Sequence, residues 1–149
     1  MWTQGTKKLS QVVIILLFAS GFLGVSLFSE SKQVDLLQLH VFDVGQGDAI
    51  LIEIPGDRQV LIDGGPGNSV LEKIGTELPF YDRDLDMVVL THPHADHVSG
   101  LVEVIKNYEV DQVLMTGVLH NTNVYAEWLG EVKRINVPVT WAKSGLVYE

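Results

Sequence analysis

Between Leu85 and Trp141 the sequence alternates twice between a short apolar run and a helical stripe, and this alternation restricts the fold more than any other feature. "LDMVVLT" is followed by Val98, Leu101, Val102 and Ile105 at three- and four-residue spacing. "DQVLMT" is followed by Val124, Trp128, Val132 and Ile135, and then by "VPVTW". Apolar runs of four to eight residues bounded by turn residues read as strands, and the 3, 4 rhythm reads as helix. Upstream, "LLQLHVFDV", "AILIEI" and "QVLID" are separated by the turns "GQGD" and "PGDR", as in hairpin-linked strands. The segment "GGPGN" is a loop, and Ser69 with Glu72 has the spacing of a capping box, so a helix is expected over about 70–78, ending at Pro79. Strands first and strand–helix alternation afterwards predict an α/β layered domain over residues 36–149, its helices covering a mixed sheet.

A different kind of segment precedes this domain. Residues 12–28, "VVIILLFASGFLGVSLF", carry no charge and come after Lys7 and Lys8. A bilayer span needs about 17–25 apolar residues, so this run sits at the short end for a transmembrane helix and is long for a signal-peptide core. Residues 1–30 are therefore expected to be a signal anchor or a signal peptide, with Ala19, Ser20 and Gly21 as a weak cleavage signal and residues 29–34 as a linker. Positive charge before the run directs the downstream chain outward. The domain is expected on the extracytoplasmic side, membrane-anchored or, if the segment is cleaved, secreted.

The chain has no cysteine, which excludes disulfides, thiolate metal sites, cysteine nucleophiles and a lipoprotein anchor. Its formal net charge of −9 argues against a non-specific nucleic-acid coat. A metal site would still concentrate positive charge locally, so a nucleic-acid substrate stays open.

Three of the five histidines, His92, His94 and His97, fall within "THPHADH" together with Asp96. This cluster lies where a strand ends and a helix begins, the edge at which α/β sheets present ligands. His92 and His94 alternate by two, so an extended loop can turn both toward one point. Asp96 and His97 open the helix and can reach a second point nearby. Imidazole with carboxylate suits zinc, manganese or iron. Pro93 stiffens the loop, and Gly100 admits close backbone packing at the first helical turn. His40 reads as a structural strand residue, and His120 as a loop residue that could face the same cleft.

"THPHADH" matches the His-x-His-x-Asp-His signature of the metallo-β-lactamase fold, and "LIDGG" matches the Asp-containing stretch that precedes it there. More narrowly, "DVGQGDAILIEIP", "LIDGGPG", "LPFYDRDLDMVVLTHPHADHVSGL" and "TGVLH" resemble the metallo-β-lactamase domain of ComEC-type DNA-uptake proteins and their stand-alone relatives. The likeness runs over roughly residues 38–145. It implies an αββα sandwich, of which this chain would carry the N-terminal half. It implies that His92 and His94 bind one metal and that Asp96 and His97 bind a second, zinc foremost, with Asp96 also handling the leaving-group proton. Asp63 would brace the metal loop by hydrogen bonds. Asp43, Gln46 and Asp48 would line the substrate cleft or cap a hairpin turn, and His120 would stand beside them.

The activity implied is metal-dependent hydrolysis, with phosphodiester cleavage of DNA favoured by the ComEC-like turn and a DNA-uptake channel as a candidate companion. Hydrolysis of a lactone or thioester is the alternative, and a membrane-anchored metal-binding product without activity is a third reading. The resemblance also implies a later Gly-Asp and a second-half histidine. Neither occurs after residue 97, so an incomplete ligand set and an uncovered apolar sheet face are expected.

Overall fold

The computed structural model describes residue 11, residues 13–17 and residues 36–148. The chain divides into two units, Met1–Lys32 and Gln33–Glu149. In the first, residues 11 and 13–17 are helical and exposed. The rest of the expected membrane or signal segment 12–28, and the linker 29–34, lie outside the described residues. Among the described residues no helix is long and apolar enough to cross a membrane.

The second unit runs β1 (Gln38–Val41), β2 (Ile50–Ile54), β3 (Arg58–Ile62), α1 (Ser69–Glu77), β4 (Asp84–Leu85), β5 (Met87–Leu90), α2 (Ala95–Asn107), β6 (Glu109–Val110), β7 (Val113–Met115), α3 (Asn123–Ile135) and β8 (Val139–Trp141). Six strands form one sheet in the order β1-β2-β3-β5-β7-β8, and β4 pairs with β6 in a second, two-stranded one. The first three strands are an antiparallel meander, as the short "GQGD" and "PGDR" turns require. From β3 onward every pairing in the large sheet is parallel, each crossing made through a helix.

Because the strand order advances in one direction, right-handed crossovers place α1, α2 and α3 on the same face. The burial pattern agrees. Leu51, Leu61, Val88, Leu90, Val113 and Met115 on that face are at most 2% exposed. Against them pack Val70 and Ile74 of α1, Val98, Leu101 and Ile105 of α2, and Tyr125, Trp128 and Val132 of α3. The two helical stripes read from the sequence are thus the buried faces of α2 and α3.

Two local expectations are corrected. "LDMVVLT" is two strands rather than one. Asp84–Leu85 joins the small sheet, Met87–Leu90 joins the large one, and Asp86 between them accepts a hydrogen bond from the Gln59 backbone N–H at 2.7 Å. The capping box of Ser69 and Glu72 does not form. Asn68 is the N-cap, already helical at φ −80°, and makes no side-chain cap, which leaves Ser69 one residue inside. The helix does stop before Pro79, where Leu78 turns extended as the residue before a proline tends to do.

The opposite face of the large sheet is apolar, and within the second unit none of the three helices covers it. Leu39 and Val41 lie across from Ile52 and Ile50, which in turn face Val60 and Ile62. Ile62, Val89 and Leu114 continue the row across β3, β5 and β7. Leu39 and Val41 are exposed and the others half-buried. The C-terminal tail reaches one corner of this face, where the Tyr148 hydroxyl accepts a hydrogen bond from Gln112 at 3.1 Å and Tyr148 joins Ile54, Val60 and Met87 around a cleft.

Candidate metal centre

Parallel pairing of β3 with β5 sets their carboxyl ends side by side, Ile62 opposite Val89. Asp63, the residue after β3, and Thr91, the residue after β5, therefore meet. The antiparallel return of β2 brings the 42–49 turn to the same edge, and the 116–122 loop after β7 arrives there as well. Four loops converge on one end of the sheet because of strand direction alone.

Asp63 is 2% exposed and sits in left-handed backbone at φ 56°. Few side chains other than Asn or Asp tolerate this conformation, and such outliers cluster at functional sites. Its Oδ1 accepts the Thr91 N–H at 2.9 Å, and its Oδ2 accepts the Thr91 hydroxyl at 2.5 Å. The same Oδ2 lies 2.9 Å from Nδ1 of His97, and the Thr91 hydroxyl lies 2.9 Å from Nδ1 of His92. These contacts set both tautomers. The single Thr91 hydroxyl proton goes to Asp63, so Thr91 accepts from His92 Nδ1–H. Asp63, as a carboxylate, accepts from His97 Nδ1–H. In the neutral tautomer that these bonds select, Nε2 of each imidazole is the lone-pair nitrogen that a metal requires.

Donor atoms of Asp63, His92 and His97 all lie within 4.8 Å of one another. With three donors already directed at it, Asp63 serves as the brace of this cluster rather than a ligand. His94 and Asp96 stand beside it. The His92 and His94 rings are 4.7 Å apart between centroids, and the His92 and His97 rings 3.9 Å. Asp96 Oδ1 is 3.9 Å from Nε2 of His97. Imidazole nitrogens beside an ionised carboxylate are a donor set that fits a divalent transition metal.

Asp96 is the acidic residue of the first turn of α2. Desolvation raises its carboxyl pKa, but its own backbone N–H, the Gln46 amide and the charges of His97 and His94 together hold it below the ordinary value. Asp96 therefore stays ionised under neutral conditions.

The turn residues divide. Asp43 accepts the Gly45 N–H at 3.2 Å, so it caps its own turn. Gln46 donates to Asp96 Oδ2 at 3.2 Å. Asp48, largely exposed, has Oδ2 3.9 Å from His97 Nδ1. Gly47 explains the glycine in the turn: at φ +86° its backbone passes so close that a Cβ would lie 1.8 Å from the Asp96 carbonyl oxygen. A second close approach joins the Asp63 loop to α2. Gly64 N–H donates to the His97 carbonyl and Gly100 N–H to that of Gly65, and a Cβ on Gly100 would lie 1.8 Å from the Gly64 oxygen.

His120 faces His94 with ring centroids 5.2 Å apart, which brings it to the site's edge beside the exposed Val118 and Leu119. His40 stands elsewhere, its Nε2 2.8 Å from Glu53 and its Nδ1 3.3 Å from Glu77, bridging β2 and α1. Thr91 is the functional residue that sequence reasoning passed over. Its place directly before the first histidine was visible, but its role depends on Asp63, 28 residues away in the chain.

A family described as the metallo-beta-lactamase superfamily matches residues 42–146. The chain is similar to a hydroxyacylglutathione hydrolase of Prochlorococcus marinus, 33% identical over 70 residues, which is 47% of this chain and 25% of that protein. It is also similar to a ribonuclease Z of Clostridium acetobutylicum, 43% identical over 53 residues, 36% of this chain and 16% of that protein. The matched parts thus span a quarter or less of these relatives' length.

Proposed function

Because this chain belongs to the metallo-β-lactamase superfamily, we propose that it carries the metal-binding portion of a metal-dependent hydrolase, ComEC-like, with DNA phosphodiesters as the substrate class. The observation that carries this reading is the relay from His92 through Thr91 and Asp63 to His97, which leaves two Nε2 atoms free for metal. On this reading the sheet and its three helices are one αβ half of an αββα sandwich. His92 and His94 hold one divalent ion, and Asp96 and His97 hold a second, zinc foremost and manganese or iron as alternatives.

Bound metal would supply Lewis-acid activation of water and neutralise charge building on the attacked centre. The chain's own residues do the rest. Asp63 and Thr91 fix the imidazole tautomers. Asp96, kept ionised, can take up a proton at Oδ2 and pass it to the leaving group, and the Gln46 amide orients that oxygen. Gln46 and Asp48 meet the substrate from the exposed side of the cleft. The segment at residues 12–28, behind Lys7 and Lys8, supports a membrane-anchored or exported domain on the extracytoplasmic side, where external DNA and a DNA-uptake channel would be its partners.

The likeness to a hydroxyacylglutathione hydrolase favours a second reading, hydrolysis of a thioester or lactone. One preparation of the full chain, loaded with zinc or manganese, separates them when assayed on linear DNA, a lactone and a thioester. Cleavage of DNA that His92→Ala abolishes is expected. Turnover of the acyl substrates without DNA cleavage would select the second reading. No turnover by a folded, metal-loaded chain would leave a membrane-anchored metal-binding protein.

A further inference from the structure

We infer that the turn at residues 79–82, with the carboxylates of the small sheet beside it, docks an arginine-bearing segment of a partner protein. α1 leads away from the metal edge and β5 returns to it, so this turn stands at the opposite end of the sheet. A partner seated there leaves the metal edge open.

The turn is unusual in composition. The Asp82 N–H donates to the Pro79 carbonyl at 2.9 Å, which puts Phe80 and Tyr81 at the two central positions. Such positions favour Gly, Pro, Asn, Asp and Ser, and nothing in turn formation calls for two aromatic rings. Phe80 is 83% exposed and Tyr81 50%, and their rings meet edge-on with centroids 5.3 Å apart. The backbone beneath them is tied down. Leu78 before the turn and Leu85 after it are buried. The Gln59 amide donates to Asp82 Oδ2 at 3.2 Å, and the Glu109 N–H donates to the Arg83 carbonyl at 2.8 Å. Aromatic side chains presented to water on a fixed backbone are the common anchors of protein interfaces.

The charges beside the turn select the partner. β4 and β6 pair Asp84 with Glu109, two exposed carboxylates directly across from each other, an arrangement that destabilises a sheet. Among the described residues neither forms an ion pair. Arg83, the cation nearest in sequence, is turned over the Tyr108 ring, its guanidinium carbon 5.2 Å from the centroid. Two unopposed carboxylates next to two exposed rings complement a guanidinium, which stacks on an aromatic face and donates to carboxylates in one plane. Lysine offers the charge without the planar stack. A lipid surface fits less well, because the same carboxylates would be pressed against anionic headgroups.

The test is fluorescence polarisation of labelled oligo-arginine and oligo-lysine peptides of equal charge, titrated with the full chain in detergent at physiological ionic strength. Two double variants accompany the wild type. Phe80→Ser with Tyr81→Ser removes the rings and suits a turn, and Asp84→Asn with Glu109→Gln removes the charge. The arginine peptide is expected to bind the wild type about 10-fold more tightly than the lysine peptide, and each double variant to lose about 10-fold or more of that affinity. Equal affinity for the two peptides, or an arginine affinity that the aromatic variant leaves unchanged, would mean that an acidic chain attracts any positive charge, and would overturn the inference. Binding of neither peptide by the wild type would overturn it as well. So would wild-type binding to phosphatidylcholine vesicles, or self-association in sedimentation, that the aromatic variant abolishes, since the turn would then serve a membrane or a second copy.

Discussion

Asp63 and Thr91 do more at this site than their polarity suggests. Replacing Asp63 with Asn puts an amide where three donors converge, and one N–H then faces another. The buried site loses its charge and gains an unmatched polar group, a cost of about 1–3 kcal/mol. Asp63→Asn is expected to lower the unfolding free energy by that amount and zinc affinity by about 10–100-fold, as read by denaturant titration and calorimetry. Thr91→Val keeps the shape and the backbone N–H bond to Asp63, and removes the hydroxyl that joins Asp63 to His92. It should weaken zinc by about 10-fold while leaving stability within about 1 kcal/mol of wild type. Equal losses from both substitutions would mean that the relay is packing rather than tautomer control. The histidines and Asp96 were legible in the sequence because their spacing is itself the signal. Thr91 was not, because its meaning depends on the parallel pairing of β3 and β5. Gln46 could be named from its turn, but its hydrogen bond to Asp96 joins residues 50 apart in the chain.

At the scale of elements, close backbone contacts decide where the loops can sit. Gly100→Ala would drive a methyl into the Gly64 carbonyl, backbone against backbone, with no flexible neighbour to yield. The expected loss is at least the 1–3 kcal/mol typical of overpacking, with weaker metal binding because the Asp63 loop must shift. Trp128 provides a second check on α3. It is fully buried, and its indole Nε1 has no hydrogen-bond partner among the described residues. Trp128→Phe removes that unpaired donor and should cost about 1 kcal/mol or less, whereas Trp128→Ala opens a cavity costing about 3–5 kcal/mol. Urea unfolding of the pair measures the difference. The helices were readable because their apolar stripes are long and periodic. The division of "LDMVVLT" was not, since the Asp86 carboxylate that interrupts it acts on Gln59 of a neighbouring strand. The failed capping box has a similar cause: residue spacing alone does not say which residue first turns helical.

Taken whole, the second unit is a sheet with helices on one face and an apolar surface on the other. Strand alternation made both faces legible: the residues between the buried ones on β2, β3, β5 and β7 are also apolar, which a solvated antiparallel or mixed sheet avoids. A contiguous apolar face of this kind binds hydrophobic dyes and limits solubility. Ile52→Lys with Val89→Lys, at half-buried positions on this face, is expected to raise the soluble yield of the chain and lower dye fluorescence, with helical circular dichroism unchanged. Unchanged dye binding would show that the face is already covered. None of this touches the converging loop edge, on which the metal-centre reading depends. Zinc K-edge X-ray absorption of the zinc-loaded full chain tests that edge most directly. Imidazole nitrogens are expected at about 2.0–2.1 Å from zinc, a signal lost in the His92→Ala, His97→Ala double variant. A shell of oxygens alone, or a spectrum that the double variant leaves unchanged, would contradict the metal centre.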